Sequence, residues 1–439
     1  MKRAALHSLG CKVNSYETEA MQEILVQNGY EIVPFEEQAD VYVINTCSVT
    51  NTADRKSRQM LHRAKKQNPD ALVIAAGCYV QSAGKELERD PLVDIRIGNN
   101  EKAALADILS VWEEERRAAW VHDLTHEKRY EEMSRRQTSG HTRAYVKIQD
   151  GCNQFCTYCI IPYTRGRVRS REPADILAEV RALAGNGYQE IVLTGIHLDS
   201  YGADGKGGDL LSVIRAVSEV PGIRRIRLGS LEPRIMTETF VRGLASVEQL
   251  CPHFHLSLQS GCDETLRRMN RKYDTREFAA CCERLRAHFD APALTTDVMV
   301  GFPGETEEEF AESLAFLKQI HFYEMHVFRY SRRKGTAADR MDGQVPESVK
   351  AQRSRVLLKL TEEESLAYRR RLFGRTVEVL MEESCEVRKK TYQTGHTGEY
   401  VKVAVAQEES LSNRLVRVKV EKALENDMLY GVLTEADRK

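Results

Sequence analysis

The chain has 439 residues, of which 42% are hydrophobic and 29% are charged, and its formal net charge is −1. This length corresponds to about two to four domains, and the composition is typical of a globular protein with substantial cores. No apolar run approaches the roughly 20 residues that span a bilayer, and the first residues lack the apolar segment of a secretory signal. The sequence therefore indicates a cytoplasmic protein, in which any nucleic-acid site must be a local patch of charge.

The first 115 residues alternate between apolar strands and amphipathic helices. This pattern predicts an open parallel α/β sheet that is covered on both faces. The predicted strands are Ala4–Leu9, Val41–Asn45 and Ala71–Ala76, and the predicted helices are Asn14–Gln27, Ala53–Gln67 and Val80–Glu88. The charged residues 116–139 are predicted to end this domain and to form a linker.

Residues 140–369 contain larger β/α units. The predicted strands are Ala144–Ile148, Glu190–Leu193, Arg224–Leu228, His253–Leu258, Leu294–Val300 and Met325–Tyr330. Six units predict a partial (β/α)6 barrel, because a closed barrel would need two more; an open doubly wound sheet is the alternative. Residues 370–439 alternate apolar and polar positions between Gly-rich turns such as 395–398, which predicts a small antiparallel β module.

Eleven cysteines are an odd number and a poor disulfide framework, and in a cytosolic protein they are more often buried, metal-binding or catalytic. Cys152, Cys156 and Cys159 have the spacing CxxxCxxC. Three thiols at this spacing can wrap an iron–sulfur cluster, which usually takes four thiolates, so that one iron is left open to a ligand that is not protein. A structural zinc site is the alternative, but it normally has four nitrogen or sulfur ligands, and no fourth ligand is near.

A second set of three cysteines is spread through the first domain. Cys11, Cys47 and Cys78 each follow a predicted strand and precede a helix. Since open α/β sheets place ligand sites at the carboxyl ends of their strands, these thiols are predicted to converge and to hold a second cluster. Ordinary buried cysteines are the alternative. The remaining cysteines, 251, 262, 281, 282 and 385, are interpreted as structural.

The order of these motifs resembles one family along nearly the whole chain. The CxxxCxxC loop after the first barrel strand resembles the radical S-adenosylmethionine (SAM) superfamily, and the two cysteine sets followed by a β tail resemble its methylthiotransferases. Further matching segments are Gly10–Asn14, Asn45–Cys47, Gly77–Cys78, Leu193–Gly202, Ser230–Pro233, Leu256–Gly261 and Asp297–Glu305. Leu193–Leu198 and Gly229–Pro233 most resemble the MtaB type, and the tail resembles the TRAM module, a small RNA-binding β-barrel.

The resemblance implies two 4Fe-4S clusters, with SAM as both radical source and methyl donor. It implies conversion of N6-threonylcarbamoyladenosine at position 37 of tRNA into the 2-methylthio derivative, with tRNA, a sulfur source and an electron donor such as flavodoxin or ferredoxin as partners. The alternatives are the same chemistry on isopentenyladenosine in tRNA or on a ribosomal protein, and a non-enzymatic iron–sulfur RNA-binding protein. The clusters and SAM carry the hard chemistry, so no side chain is assigned as catalytic.

Residues that bind SAM and RNA are also suggested. The resemblance places Tyr158 near the adenine of SAM. Barrel-type sites gather at the carboxyl ends of strands, which suggests Gly195 near the amino group of SAM, Glu232 and Gln259 near its ribose or amino acid groups, and the Gly301 turn near the adenine. Turn geometry, capping or packing are the alternatives. The arginines Arg165, Arg167, Arg169 and Arg171 alternate just after the cysteine loop and are predicted to contact RNA phosphates. The pairs 224–225, 267–268 and 271–272 add positive charge.

Overall fold

The computed structural model describes residues 1–116, 118–133 and 142–437, and its N-terminal unit is a six-stranded parallel sheet with helices on both faces. The strands are β1 Arg3–Ser8, β2 Glu31–Ile32, β3 Val41–Thr46, β4 Leu72–Gly77, β5 Ile95–Ile97 and β6 Ala119–Trp120, in the order β2-β1-β3-β4-β5-β6. The helices are α1 Lys12–Gln27, α2 Asn51–Gln67, α3 Cys78–Ala83, α4 Lys85–Glu88 and α5 Leu105–Glu115. The open parallel sheet is confirmed.

Two local differences from the sequence pattern have physical causes. The single helix predicted near 80–88 is wrong, because Gly84 has a positive φ of 44° and divides it into α3 and α4. The strand β6 pairs with β5, so the sheet continues beyond residue 115 into the segment that was predicted to be a linker. Residue 117 and residues 134–139 of that segment lie outside the described residues.

The central unit contains six parallel strands that alternate with helices. The main strands are β7 Arg143–Lys147, β10 Glu190–Thr194, β11 Arg225–Leu228, β12 His253–Gln259, β13 Ala293–Val300 and β14 Glu324–Arg329, with a short pair β8 Gln149–Asp150 and β9 Arg169–Ser170. The helices are α6 Ile161–Thr164, α7 Pro173–Gly185, α8 Leu210–Ser218, α9 Glu238–Ala245, α10 Asp263–Arg268, α11 Thr275–His288, α12 Glu307–Ile320 and α13 Glu347–Arg370.

The six main strands form the partial barrel. They lie in two sheets, β11-β10-β7 and β12-β13-β14. Two isolated parallel bridges join these sheets, one between residues 226 and 250 and one between residues 231 and 256. No pairing closes β14 onto β7 among the strands described. The predicted (β/α)6 barrel is therefore confirmed, and its open side leaves room for another domain. Asp274 and Thr306 form capping boxes that begin α11 and α12.

The C-terminal unit is a closed five-stranded barrel. Its strands are β15 Thr376–Val387, β16 Lys390–Thr397, β17 Lys402–Val405, β18 Leu415–Ala423 and β19 Leu429–Leu433, in the order β15-β16-β17-β19-β18. The turn predicted at 395–398 is wrong for 395–397, which lie in β16, and the β17–β19 pair is parallel although the other pairs are antiparallel. The small β-barrel expected from the resemblance is present.

The C-terminal barrel closes the amino-terminal end of the central barrel. Tyr400, in the turn after β16, stacks on His253 at the start of β12 and on His396, with ring centres 5.3 and 4.5 Å apart. The guanidinium groups of Arg143 and Arg227 lie 4.8 and 4.7 Å from the centre of the same ring. The carboxyl-terminal end of the central barrel therefore stays free to contact the N-terminal sheet. Within the described ranges, no helix is long and apolar enough to cross a membrane.

Candidate active site between the two cysteine sets

Cys11, Cys47 and Cys78 lie at the carboxyl ends of β1, β3 and β4, which are adjacent in the sheet. Cys11 precedes α1, and Cys78 is the first residue of α3. A Cβ atom on Gly10, whose φ is +104°, would lie 2.8 Å from the Sγ of Cys47, so this turn requires a glycine to let the two loops approach. Parallel strand order therefore brings three thiols that are far apart in sequence to one edge of the sheet.

The electrostatics of these thiols fit a bound metal cluster. Burial raises the pKa of Cys47 to about 11, and the neighbouring thiols of Cys78 and Cys11 raise it further. The pKa of Cys11 is also raised, mainly by burial and in part by Cys78, although Arg165 opposes the shift. Neighbouring thiols with raised pKa values, such as Cys11 and Cys47, would not ionise together by themselves, whereas coordination to iron deprotonates a thiol outright. The donor set therefore fits an iron–sulfur cluster.

Two asparagines hold the loops of this first set. The amide of Asn14 donates to the backbone oxygens of Leu9 and Thr46 at 2.7 and 3.0 Å, which ties the Cys11 loop to the Cys47 loop. The amide of Asn99 donates to the Sγ of Cys78 at 3.5 Å and to the backbone oxygen of Thr164 at 2.8 Å. Thr164 ends α6, the short helix that follows the second cysteine loop, so one buried side chain links the two cysteine sets.

The second set, Cys152, Cys156 and Cys159, lies in the loop after β8. Burial raises the pKa of Cys159 to about 12 and that of Cys152 to about 11, and in both cases the thiol of Cys156 adds to the shift. The backbone N–H of Gln154 donates to the Sγ of Cys152 at 3.5 Å, and Arg271 donates to the Sγ of Cys156 at 3.2 Å. N–H donors to sulfur tune the reduction potential of a cluster, so this loop also fits one.

A buried polar pocket adjoins the second set. Glu232 accepts a hydrogen bond of 2.7 Å from Arg271 and lies 3.3 Å from the Nε2 of His197. Its backbone N–H donates to Asp199 at 2.6 Å, and burial raises the pKa of Asp199 to about 7. Gln149 accepts from the backbone N–H of His197 at 2.8 Å. The pocket thus combines charged donors and acceptors beside Cys156, as a zwitterionic ligand requires.

The predicted contacts between SAM and these residues stay predictions, and the residues lie in different surroundings. Glu232 belongs to the pocket, and a Cβ on Gly195 would lie 2.8 Å from Gln149, at the edge of the same pocket. Gln259 ends β12 with a positive φ of 72°. The ring of Tyr158 lies edge-on to that of Phe302 at 6.4 Å. At Gly301, Lys350 fills the position that a side chain would take, and the backbone N–H donates to Glu305 at 3.1 Å.

A fully buried ionic cluster packs between the N-terminal sheet and the barrel. Glu17 of α1 accepts from Lys147 at 2.9 Å, from Arg165 at 2.8 and 3.1 Å, and from Lys102. Asp150 lies 2.6 Å from Lys147 and 3.1 Å from Arg165. These five side chains are each at most 2% exposed. They fix α1, and with it Cys11, against the segment that carries the second cysteine loop.

This cluster contradicts the prediction that the alternating arginines bind RNA. Arg165, Arg169 and Arg171 are at most 1% exposed. Arg169 lies 3.7 Å from Asp150 and donates to the backbone oxygen of Arg165 at 2.8 Å, and Arg171 pairs with Glu132 and Glu179. Only Arg167 of the four is partly exposed, and it lies over the ring of Phe155. Acidic residues on other elements pair with these arginines, and the sequence pattern gives no sign of those partners.

Sequence reasoning missed several residues of this region. It grouped Arg271 with surface charges, whereas the side chain is buried against Glu232 and Cys156. Asn99 and Gln149 drew no attention, since no local pattern distinguishes them from ordinary polar residues. Lys12 and His197 were available only as parts of the matching segments Gly10–Asn14 and Leu193–Gly202.

Comparisons with known proteins place this chain in a family. Residues 3–98 match the uncharacterized protein family UPF0004, and residues 146–317 match the radical SAM superfamily. A curated protein of Bacillus subtilis (strain 168), the threonylcarbamoyladenosine tRNA methylthiotransferase MtaB, is 41% identical over 426 residues, which are 96% of this chain and 94% of the relative. The chain belongs to the radical SAM methylthiotransferase family.

Other relatives span the same length. A tRNA-2-methylthio-N(6)-dimethylallyladenosine synthase of Desulfitobacterium hafniense (strain Y51) is 35% identical and covers 96% of this methylthiotransferase and 95% of its own chain. Among solved structures, the radical SAM methyltransferase TsrM from Kitasatospora setae has a TM-score of 0.55 at 13% identity, over 75% of this chain and 72% of that chain. This likeness shows the fold. The enzyme is therefore a radical SAM transferase, and the family implies a 4Fe-4S cluster and SAM.

Proposed function

We propose that this enzyme converts N6-threonylcarbamoyladenosine at position 37 of tRNA into its 2-methylthio derivative, with two 4Fe-4S clusters. The observation that carries the proposal is the adjacency of two three-cysteine sites, one on each domain, which Asn99 links through Cys78 and Thr164. A reaction that both abstracts a hydrogen atom and delivers sulfur to the same carbon needs two cofactors close together. Relatives that are 36–41% identical carry the name of this activity.

The choice of cofactors follows from the target atom. Carbon 2 of adenine bears an unactivated C–H bond, which no protein base removes, so bound SAM and its cluster supply a radical and the second cluster supplies sulfur. We propose Cys152, Cys156 and Cys159 as ligands of the first cluster and Cys11, Cys47 and Cys78 as ligands of the second. The chain's own part is to orient: Glu232, in contact with Arg271, is placed to hold charged groups of SAM beside Cys156.

The RNA partner is supported by the names of the relatives and by the C-terminal barrel, which we propose to be a TRAM module that binds tRNA. Exposed cations such as Arg388 and Lys389 lie in its β15–β16 turn, and phosphate contacts dominate RNA affinity. With tRNA as substrate, we propose a cytoplasmic location, with an electron donor such as flavodoxin or ferredoxin and a separate sulfur source.

The test of the substrate is nucleoside analysis of tRNA by mass spectrometry from a strain lacking the gene. We expect the loss of 2-methylthio-N6-threonylcarbamoyladenosine, with its unthiolated precursor accumulating in its place. Unchanged levels would refute the substrate. Loss of the methylthio form of isopentenyladenosine instead would assign the enzyme to the sibling activity, and intact tRNA with an unmodified ribosomal protein would assign it to the protein substrate.

The test of the second cluster is the iron content of the anaerobically reconstituted protein. Two four-iron clusters predict about eight irons per chain, and the triple variant C11A/C47A/C78A is expected to retain about four. Cys385, which belongs to neither set, supplies a control, and C385A is expected to keep all of them. A triple variant with the iron content of the wild type would reject the second site. A reduced protein that forms no 5′-deoxyadenosine from SAM would support a non-enzymatic role.

A further inference from the structure

Lys12 belongs to the N-terminal domain, but its charge lies over the interior of the barrel. It is the first residue of α1 and follows Cys11 directly. Its ammonium group interacts electrostatically with Arg143 of β7, Arg227 of β11 and Asp297 of β13. The α1 helix therefore delivers a cation, beside a ligand of the second cluster, into the space that the partial barrel encloses.

Three polar side chains on the neighbouring strands β12, β13 and β14 face the same space. His255 of β12, Asp297 of β13 and His326 of β14 bring their side-chain donor and acceptor atoms within 4.8 Å of one another. The Nε2 of His255 lies 3.4 Å from Asp297, and the two histidine rings are centred 5.6 Å apart. The Nδ1 of His255 lies 3.1 Å from the hydroxyl of Thr295, which turns Nε2 toward Asp297. His326 also interacts electrostatically with Lys12.

The protein itself makes little use of the charge on Lys12. Across residues 1–116, 118–133 and 142–437, its ammonium group has no hydrogen bond or ion pair, and the side chain remains accessible to solvent. Arg143 and Arg227 add repulsion, and Asp297 opposes it. The charges of Arg143 and Arg227 are themselves compensated by Glu190, whereas that of Lys12 has no such partner among the described residues. An accessible cation without a bonded partner fits a site that awaits an anion.

We propose that Lys12, with His255, Asp297 and His326, forms the subsite for the threonylcarbamoyl group of the substrate, and that the ammonium group of Lys12 pairs with its carboxylate. This inference rests on the proposed function. The threonylcarbamoyl group carries one carboxylate, one hydroxyl and amide N–H groups, which match a cation and a carboxylate with neighbouring imidazoles. An apolar isopentenyl group would gain nothing here, because it would desolvate Lys12 without a partner.

The same histidines and carboxylate are also a plausible donor set for a divalent metal. The unpaired charge of Lys12 opposes that assignment, since it would repel a metal ion in the same recess, whereas Arg143 and Arg227 are already paired with Glu190. The charge of the surroundings therefore selects an organic anion, and a bound metal becomes an outcome of the test.

The experiment measures binding to the reconstituted full-length protein by fluorescence anisotropy. The probes are anticodon stem-loop RNAs that carry either N6-threonylcarbamoyladenosine or adenosine at position 37. We expect Lys12→Gln to weaken binding of the modified RNA about 10- to 100-fold, which is the usual effect of removing a hydrogen bond to a charged group. Its affinity for the adenosine RNA should stay within about threefold of the wild type on the same grounds. The matched variant Lys12→Arg, which keeps the charge, should retain most of the preference.

Three outcomes separate the hypotheses. If the wild type does not methylthiolate the modified RNA, the proposed function fails. If it does, and Lys12→Gln binds both RNAs as the wild type does, the subsite inference fails. A mononuclear metal ion that copurifies with the wild type and is lost in His326→Gln would also overturn it. Because Lys12 adjoins Cys11, iron content is measured for each variant, and His326→Gln, which lies far from every predicted ligand in sequence, must also weaken binding of the modified RNA.

Discussion

The substitution Glu17→Gln tests whether the ionic cluster holds the two cysteine-bearing domains together. Glu17 is 1% exposed, and its two oxygens contact Lys102, Lys147 and Arg165. Glutamine preserves the size of the side chain, removes its charge and turns one acceptor into an N–H donor that faces other donors. Where the amide nitrogen replaces Oε2, Lys102 keeps, among the hydrogen bonds of the described residues, the amide oxygen of Asn99 at 2.8 Å.

The magnitude follows from the burial of the partners. Removing one member of a buried ion pair costs about 3–5 kcal/mol, because the remaining charges cannot reach water. We therefore expect Glu17→Gln to lower the free energy of unfolding of the N-terminal domain by about this amount. The control is Glu37→Gln, since Glu37 pairs with Arg3 at the surface with 51% of its side chain exposed. Such exposed pairs contribute at most about 1 kcal/mol.

Urea denaturation followed by tryptophan fluorescence is a suitable assay. Both tryptophans of the chain, Trp112 and Trp120, lie in the N-terminal unit, so their emission reports on that unit. The double variant Glu17→Gln/Lys102→Met removes one charge of each sign, and it should lose less stability than the two single losses added together. A loss for Glu17→Gln no larger than that of Glu37→Gln would refute the reasoning.

The pH dependence gives an independent check on the same residue. Burial by itself raises the pKa of Glu17, but Arg165, Lys102 and Lys147 outweigh it and hold the pKa well below the usual range. The unfolded value is about 4.3. Since the folded value is lower, the stabilisation is complete above about pH 4.3 and is lost as the pH falls toward the folded value. We expect the wild type to lose stability on acidification with a steeper slope than Glu17→Gln.

Two further substitutions test the scaffold around the site. Gly77→Ala should lower the iron content toward about four per chain, the content of one cluster. A Cβ at this position, where φ is +96°, would lie 2.5 Å from Asn45 and would displace the loop of Cys78. Wild-type iron content in a folded variant would contradict this expectation. Tyr400→Leu should leave the ring of His253 without its stacking partner. We expect earlier proteolytic cleavage between the central and C-terminal barrels, and an unchanged cleavage pattern would contradict the proposed closure.

The elements that could be predicted from sequence are those with local causes. Runs of apolar residues predicted β12, β13 and β14 to within one residue at each end, and most other elements within a few residues. The missed strands β2, β5 and β6 have two or three residues each, too few for any period to be visible. The end of β16 was predicted to be a turn because it contains Gly395, whose missing side chain leaves room for the backbone of β15.

The prediction about the arginines failed for a different reason. A charge pattern shows how many cations a segment carries, but not whether acidic residues from elsewhere meet them. Glu17 lies far from Arg165 in sequence, and only the packing of α1 against the barrel brings the two together. Burial then favours ion pairing over contact with RNA. Long-range electrostatics of this kind has no signature in a single sequence.

The amino-acid sequence by itself determined which thiols are available to bind clusters, because the CxxxCxxC spacing and the three cysteines at strand ends are visible without the fold. The tertiary structure decided how the two sets meet. Adjacent parallel strands bring Cys11, Cys47 and Cys78 together, and Asn99 links Cys78 to the end of the helix that follows the second cysteine loop. It also decided that the arginines are buried and that Lys12 faces the barrel interior. The physical reason is that ligand identity is a property of residue types, whereas burial and pairing depend on contacts between distant segments.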